Sequence, residues 1–130
     1  MSLDHTTHYD LESPLGIAEW VSLVPRNHGI VHLGPQRRPF GLSMFHQLAC
    51  LNEVRETLVS KQPLEDRPYI QHCMDYLRQA TLCRSDMTLQ SFATTGQSPV
   101  SWETTVTCRD WTALYEAVDD DRTSRSHNES

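Results

Sequence analysis

Two short phrases between Phe45 and Asp86 limit what this chain can become. They read Phe45-His46-Gln47-Leu48-Ala49-Cys50-Leu51 and Tyr69-Ile70-Gln71-His72-Cys73-Met74-Asp75-Tyr76-Leu77-Arg78-Gln79. Each sets a His and a Cys within one helical turn. In the first, Met44, Leu48, Leu51, Val54 and Leu58 recur at three- and four-residue steps, the spacing of an apolar helix stripe, and Ser43 is placed to cap it. His46, Cys50, Glu53 and Thr57 occupy the neighbouring face. The second phrase follows Asp66, with Pro68 in the first turn, where a missing N–H costs nothing. It is expected to turn Ile70, Met74, Leu77 and Cys73 toward a core, and to carry His72, Tyr76, Gln79 and Cys83 on an adjacent stripe. The short Pro-containing link from Lys61 to Arg67 predicts an antiparallel helical hairpin that brings the two His-bearing faces together.

The remaining elements are shorter. Ser13-Pro14 reads as a cap and first-turn proline for a helix over Leu15–Leu23 that ends before Pro25 and turns Trp20 and Leu23 inward. Asn27-His28-Gly29 reads as a turn and Ile30–Leu33 as a strand. Val100, Trp102, Thr104 and Val106 alternate with more polar neighbours, predicting a strand that pairs with Ile30–Leu33. Asp110 is placed to cap a last helix with Trp111, Leu114, Tyr115 and Val118 on one face, and all three tryptophans are expected to support the core. The predicted fold is mainly α: the hairpin with its His/Cys phrases, a further helix and at most a small β-sheet. Residues 1–12 read as a flexible N-terminus, 13–118 as one domain, and 119–130 as a disordered acidic, Ser-rich tail.

With 130 residues the chain suits one modest core. A net charge of −6 argues against a nucleic-acid surface, because phosphate binding needs clustered Lys and Arg. No apolar run approaches the roughly 20 residues that cross a bilayer, so the sequence reads as soluble as given, cytoplasmic or lumenal. Cys50, Cys73, Cys83 and Cys108 permit three complete pairings, and spacing alone does not choose among them.

At these residues the chain resembles the UstYa-like proteins of fungal natural-product pathways. Their signature is a pair of His-x-x-His-Cys motifs, the second running on into Asp-Tyr-Leu-Arg-Gln. Here Asp75-Tyr76-Leu77-Arg78-Gln79, then Cys83, Asp86, Thr88 and Leu89, and later Cys108-Arg109-Asp110-Trp111 continue the match, which covers roughly Glu19 to Leu114. The departures are specific: Ala49 stands at the second His of the first motif, and Tyr69 at the first His of the second. Thr105-Val106-Thr107 stands where members tend to carry a further His. The resemblance implies oxidative tailoring with copper implicated, and in many members an N-terminal membrane helix that is not readable here.

An intact pair of such motifs can aim four imidazoles at one metal, because positions i, i+3 and i+4 share a helix side. This chain keeps His46 and His72, so a metal would draw on His46, Cys50, His72 and Cys73 if any are used. The expectation is therefore no cofactor, with copper as the alternative. The retained imidazoles suit proton transfer near neutral pH. The first reading is thus a non-oxidative cyclisation, dehydration or isomerisation of a small pathway intermediate, using His46, His72, Tyr69, Asp75, Tyr76 and Arg78. Arg78 is weighed both as an enolate stabiliser and as a salt-bridge partner of Asp75 or Asp86. His28 and His32 are weighed both as site residues and as exposed loop and strand-end side chains. The alternatives are a copper-dependent oxidase with a reduced ligand set, and an inactive partner subunit of such an oxidase in a homo- or hetero-oligomer.

Overall fold

The structure, a computed structural model, describes residues 2–3, 6–87 and 104–128. Its elements run β1 (Ser2–Leu3), α1 (Pro14–Ser22), β2 (Ile30–Leu33), β3 (Arg38–Gly41), α2 (Ser43–Val59), a 3₁₀ turn (Leu64–Asp66), α3 (Pro68–Arg84), β4 (Thr104–Thr105) and α4 (Thr112–Asn128). The fold is mainly α, with two small antiparallel ribbons, β1–β4 and β2–β3. No helix among the described residues is long and apolar enough to cross a membrane.

Local chemistry explains the starts and stops. Ser13 caps α1 by accepting the Gly16 N–H at 3.1 Å, and Pro14 sits in the first turn. Upstream, Asp10 accepts the N–H groups of Glu12 and Ser13, and Glu19 accepts the Tyr9 N–H and pairs with His8. Residues 6–12, read as flexible, are thus tied to α1. In α2, Leu42 takes the N-cap position and makes no side-chain cap bond, so Ser43 is the first helical residue rather than the cap. Arg67 and Pro68 open α3, and Ser85 closes it in the left-handed region at φ 44°.

The strand pairing differs from expectation. β2 pairs with β3, Val31 opposite Phe40, because the Gly34–Arg37 turn folds the chain straight back. Thr104–Thr105 pairs with Ser2–Leu3 instead. Trp102, expected in that strand, lies outside the described residues.

A small core forms where β2, the start of α2 and α4 meet. Val31, Phe45 and Val118 are buried there, flanked by Leu42, Met44, Leu48, Leu114 and Tyr115. Gly29, at φ 72°, lets the turn pass under Phe45; a methyl group in its place would overlap that ring. Tyr115 donates to the Leu23 carbonyl at 2.7 Å and stacks edge-on against Phe45, joining α4 to the segment after α1. Trp111 is half exposed at one end of this face. Met74, Leu51 and Leu58, assigned to core stripes by periodicity, are exposed, because α2 and α3 pack on each other and leave these positions on their open sides.

The predicted boundary at 118 falls inside α4, which continues to Asn128. Asp121 explains the extension. It accepts the His32 backbone N–H, pairs with the His32 ring at 2.9 Å and with Arg37 at 2.8 Å, clamping the helix onto the β2–β3 ribbon. His32 is therefore a docking residue, whereas His28 is exposed in the Asn27–Gly29 turn.

Candidate functional site

The hairpin forms as the two phrases predict, and a disulfide fixes its register. Cys50 of α2 is bonded to Cys73 of α3, with their Cα atoms 4.9 Å apart. In an antiparallel helix pair, one turn back from Cys50 meets one turn on from Cys73. His46 accordingly stacks on Tyr76, with ring centroids 4.1 Å apart and planes inclined by 24°. The His72 ring lies 5.5 Å from that of His46, also stacked. In the other direction the same register brings Glu53 toward Tyr69 and Pro68.

His46, His72, Glu53, Pro68 and Tyr69 wall an open groove of about 640 Å³ between the helices, with Ala49, Cys50 and Cys73 at its floor and sides; Tyr76 stacks on His46 and does not line it. Its lower end is tied by charge. Arg67 pairs with Glu53 at 3.5 Å and with Glu56 at 3.4 Å. Buried Arg55 donates to Asn52, Glu56 and the Leu11 carbonyl. A guanidinium at Arg55 can be buried because each of its three nitrogens has a partner.

The sequence-predicted site residues separate into two sets. His46, His72 and Tyr76 form one ring cluster, and Tyr69 stands at the groove edge, 71% exposed. Asp75 and Arg78 pair with each other on the outer surface of α3 at 2.7 Å, with Gln79 donating to the same carboxylate, and neither lines the groove. The Arg78 hydrogen bond, then that of Gln79, holds the Asp75 carboxyl below the usual range. Arg78 thus takes the salt-bridge role rather than that of enolate stabiliser. Among the described residues, no carboxylate hydrogen-bonds to either groove imidazole.

The cysteine pairing removes Cys50 and Cys73 from the metal-ligand set, since a disulfide sulfur is not a thiolate. Cys83 and Cys108 are exposed free thiols. Among the described residues, no group of three or more His, Cys, Asp or Glu side chains is placed to hold a metal ion. Two imidazoles fall short of the multi-donor shell that a resident copper requires, so the described donors do not by themselves fit one.

The family described as "Mycotoxin biosynthesis protein UstYa" matches residues 12–116, and the chain belongs to it. It is 30% identical over 105 residues to "Oxidase ustYa" of Aspergillus flavus, covering 76% of this chain and 49% of that protein. It is 29% identical over 96 residues to "UstYa family oxidase phomYe" of Diaporthe leptostromiformis, covering 65% and 34%. To "UstYa family oxidase phomYb" of the same fungus it is 29% identical over 122 residues, covering 74% and 46%. The chain thus spans half or less of the length of these relatives. No solved structure matches.

These names overturn the non-oxidative reading. The three relatives are called oxidases, which favours the oxidase alternative over a cyclisation, dehydration or isomerisation by acid/base catalysis alone. Two imidazoles beside a groove can move a proton in an oxidative step as readily as in a non-oxidative one, so their retention does not select acid/base catalysis alone.

Proposed function

We propose that this chain serves an oxidative tailoring step in fungal mycotoxin-type biosynthesis, and that its small-molecule substrate lies in the groove between α2 and α3. The observation that carries the reading is the coincidence of family membership with the ring cluster: the motif residues His46 and His72 meet across the hairpin at 5.5 Å. In this reading the two imidazoles contact the substrate and hold a proton released from it, while its two electrons pass to an external oxidant such as dioxygen. Tyr76 supports His46 from behind, and the disulfide keeps both helices in register. No step is assigned to copper, because the described donors do not complete its shell.

The incomplete donor set supports a second reading, in which the chain binds substrate as a subunit beside a related oxidase that performs the oxidation. Deleting the gene in the source fungus and following metabolites by mass tests the first claim. Accumulation of an intermediate two hydrogens heavier, or one oxygen lighter, than the product is expected; accumulation of an isomer would reject an oxidative role. Purified chain that oxidises this intermediate alone favours the first reading. Oxidation only after a related oxidase is added favours the second.

A further inference from the structure

A second cavity adjoins the imidazole groove along α2. It measures about 590 Å³, and its apolar wall is built from Trp20, Val21, Val24 and Pro25. Each cavity alone has the size of an ordinary small-molecule site. The two share Ala49, which lines both. The two cavities therefore adjoin at a single exposed methyl group on α2.

The apolar cavity also has a chemical polarity of its own. The Trp20 indole N–H is already donated to the Tyr9 carbonyl at 2.9 Å, so the ring offers a ligand only its hydrocarbon surface. Asn52 is engaged with Arg55 and Glu56. His28 and Arg26 also line the cavity, and the Arg26 guanidinium has no ion-pair partner among the described residues; Asp119, which lines an adjoining depression with it, is taken by Arg122 at 3.2 Å. A chain of net charge −6 repels anions overall, so an uncommitted guanidinium beside an apolar wall gives one local place where a carboxylate is favoured.

We propose that the two cavities form one bipartite site for an elongated carboxylic acid. Its carboxylate pairs with Arg26, its apolar body lies on Trp20 and Val24, and its far end crosses Ala49 to reach His46 and His72. This deepens the preceding reading by assigning the substrate class, and it rests on the imidazole groove being the place of reaction. Arg26 acts here as a specificity residue, and Ala49 as the opening between subsites.

The test is an NMR titration of the full chain, labelled at the Trp indoles, Ala methyls and His rings, without metal and under nitrogen. The probes are 4-(biphenyl-4-yl)butanoate, its neutral amide, and butanoate as a short control. The long acid should shift Trp20, Ala49 and His46 together, whereas butanoate should leave the His rings unmoved. The acid should bind about 3- to 10-fold more tightly than the amide, the range for an ion pair that is partly solvated. Arg26→Gln should erase that preference. Ala49→Phe, at an exposed helix position, should keep the Trp20 response and silence the His rings; Ala49→Met serves if the larger variant fails to fold. Equal binding of acid and amide to the unaltered chain, a preference that survives Arg26→Gln, or His shifts that survive blocking at Ala49 would overturn the proposal. Because no oxidation is read, failure of this titration is distinct from failure of the oxidative reading.

Discussion

At the start of α2, Phe45 is wholly buried between β2 and α4; at the next residue, His46 is exposed in a groove. These neighbours belong to regions held together by different means. Around Phe45, burial of apolar surface and the Asp121 clamp join segments far apart in sequence. Around His46, a covalent bond and a charge cluster join two helices whose outer faces remain open. The contrast suggests a division of labour. A core that supplies rigidity must exclude water, whereas a site must admit a ligand, so the site is built where a crosslink takes the place of burial.

The largest test of that division is Phe45→Ala. A wholly buried Phe truncated to Ala typically costs about 3–5 kcal/mol, so denaturant unfolding should lose that much, with earlier amide exchange in α4 and β2. A loss under about 1 kcal/mol would mean that the core is not where stability resides. Replacing Cys50 and Cys73 by Ser addresses the other region. Their sequence separation of 23 sets a loop whose closure is worth roughly 3 kcal/mol. The double variant should be destabilised by about that amount, with exchange protection lost first in α3. If α3 stays as protected as α4, the crosslink is not what positions the site.

Much of this contrast can be read in the sequence, and the failures share a cause. The His/Cys spacing predicts the hairpin, Pro68 its second start, and Asn27-His28-Gly29 the turn beneath Phe45. Periodicity, however, assigns an apolar stripe without saying whether a neighbour exists to cover it. Met74, 54% exposed, is assigned inward for that reason. The tail over 119–128 looks disordered by composition, yet one residue, Asp121, meets His32 and Arg37 some 84 to 89 positions away. No local pattern encodes such a pairing. In the groove, the meeting of His46, His72 and Tyr76 is legible from motif spacing, but the place of Ala49 in two cavities is not, because the second is lined by Trp20, Val21 and Val24, nearly 30 residues upstream. The disulfide partner choice likewise appears only once the hairpin register is known.

A third prediction sharpens the claim that the groove residues serve function rather than stability. His46 and His72 are exposed, so His46→Ala and His72→Ala should each change unfolding free energy by less than about 0.5 kcal/mol, the usual range for surface substitutions. Expressed in the source fungus in place of the native chain, either should nonetheless cause the unoxidised intermediate to accumulate. Normal product from both variants would move the site elsewhere.

The smallest expected effect, confined to acid, concerns the Asp121 clamp. The His32 ring hydrogen bond, its backbone N–H and the nearby Arg37 charge hold the Asp121 carboxyl below its ordinary value, against the opposing effect of burial. The folded chain therefore binds this proton less readily than the unfolded chain. Linkage then gives the sign: the stabilisation is fully present above the unfolded value, near 4, and is lost as pH falls through the lower folded one. Unfolding measured from pH 6 down to pH 2 should show this loss in the unaltered chain, and Asp121→Asn should flatten part of it. Asp10, Glu19, Asp75 and Asp110 are also lowered, so some acid sensitivity should remain in the variant. Location separates the contributions. Acid should release amide protection in the last two turns of α4 in the unaltered chain, and Asp121→Asn should show that release already at pH 6, while Asp75→Asn leaves α4 unchanged. If α4 remains protected at pH 6 in Asp121→Asn, its hold on the ribbon comes from Val118 and Tyr115 alone, and the polar clamp has no part in keeping the core region apart from the groove.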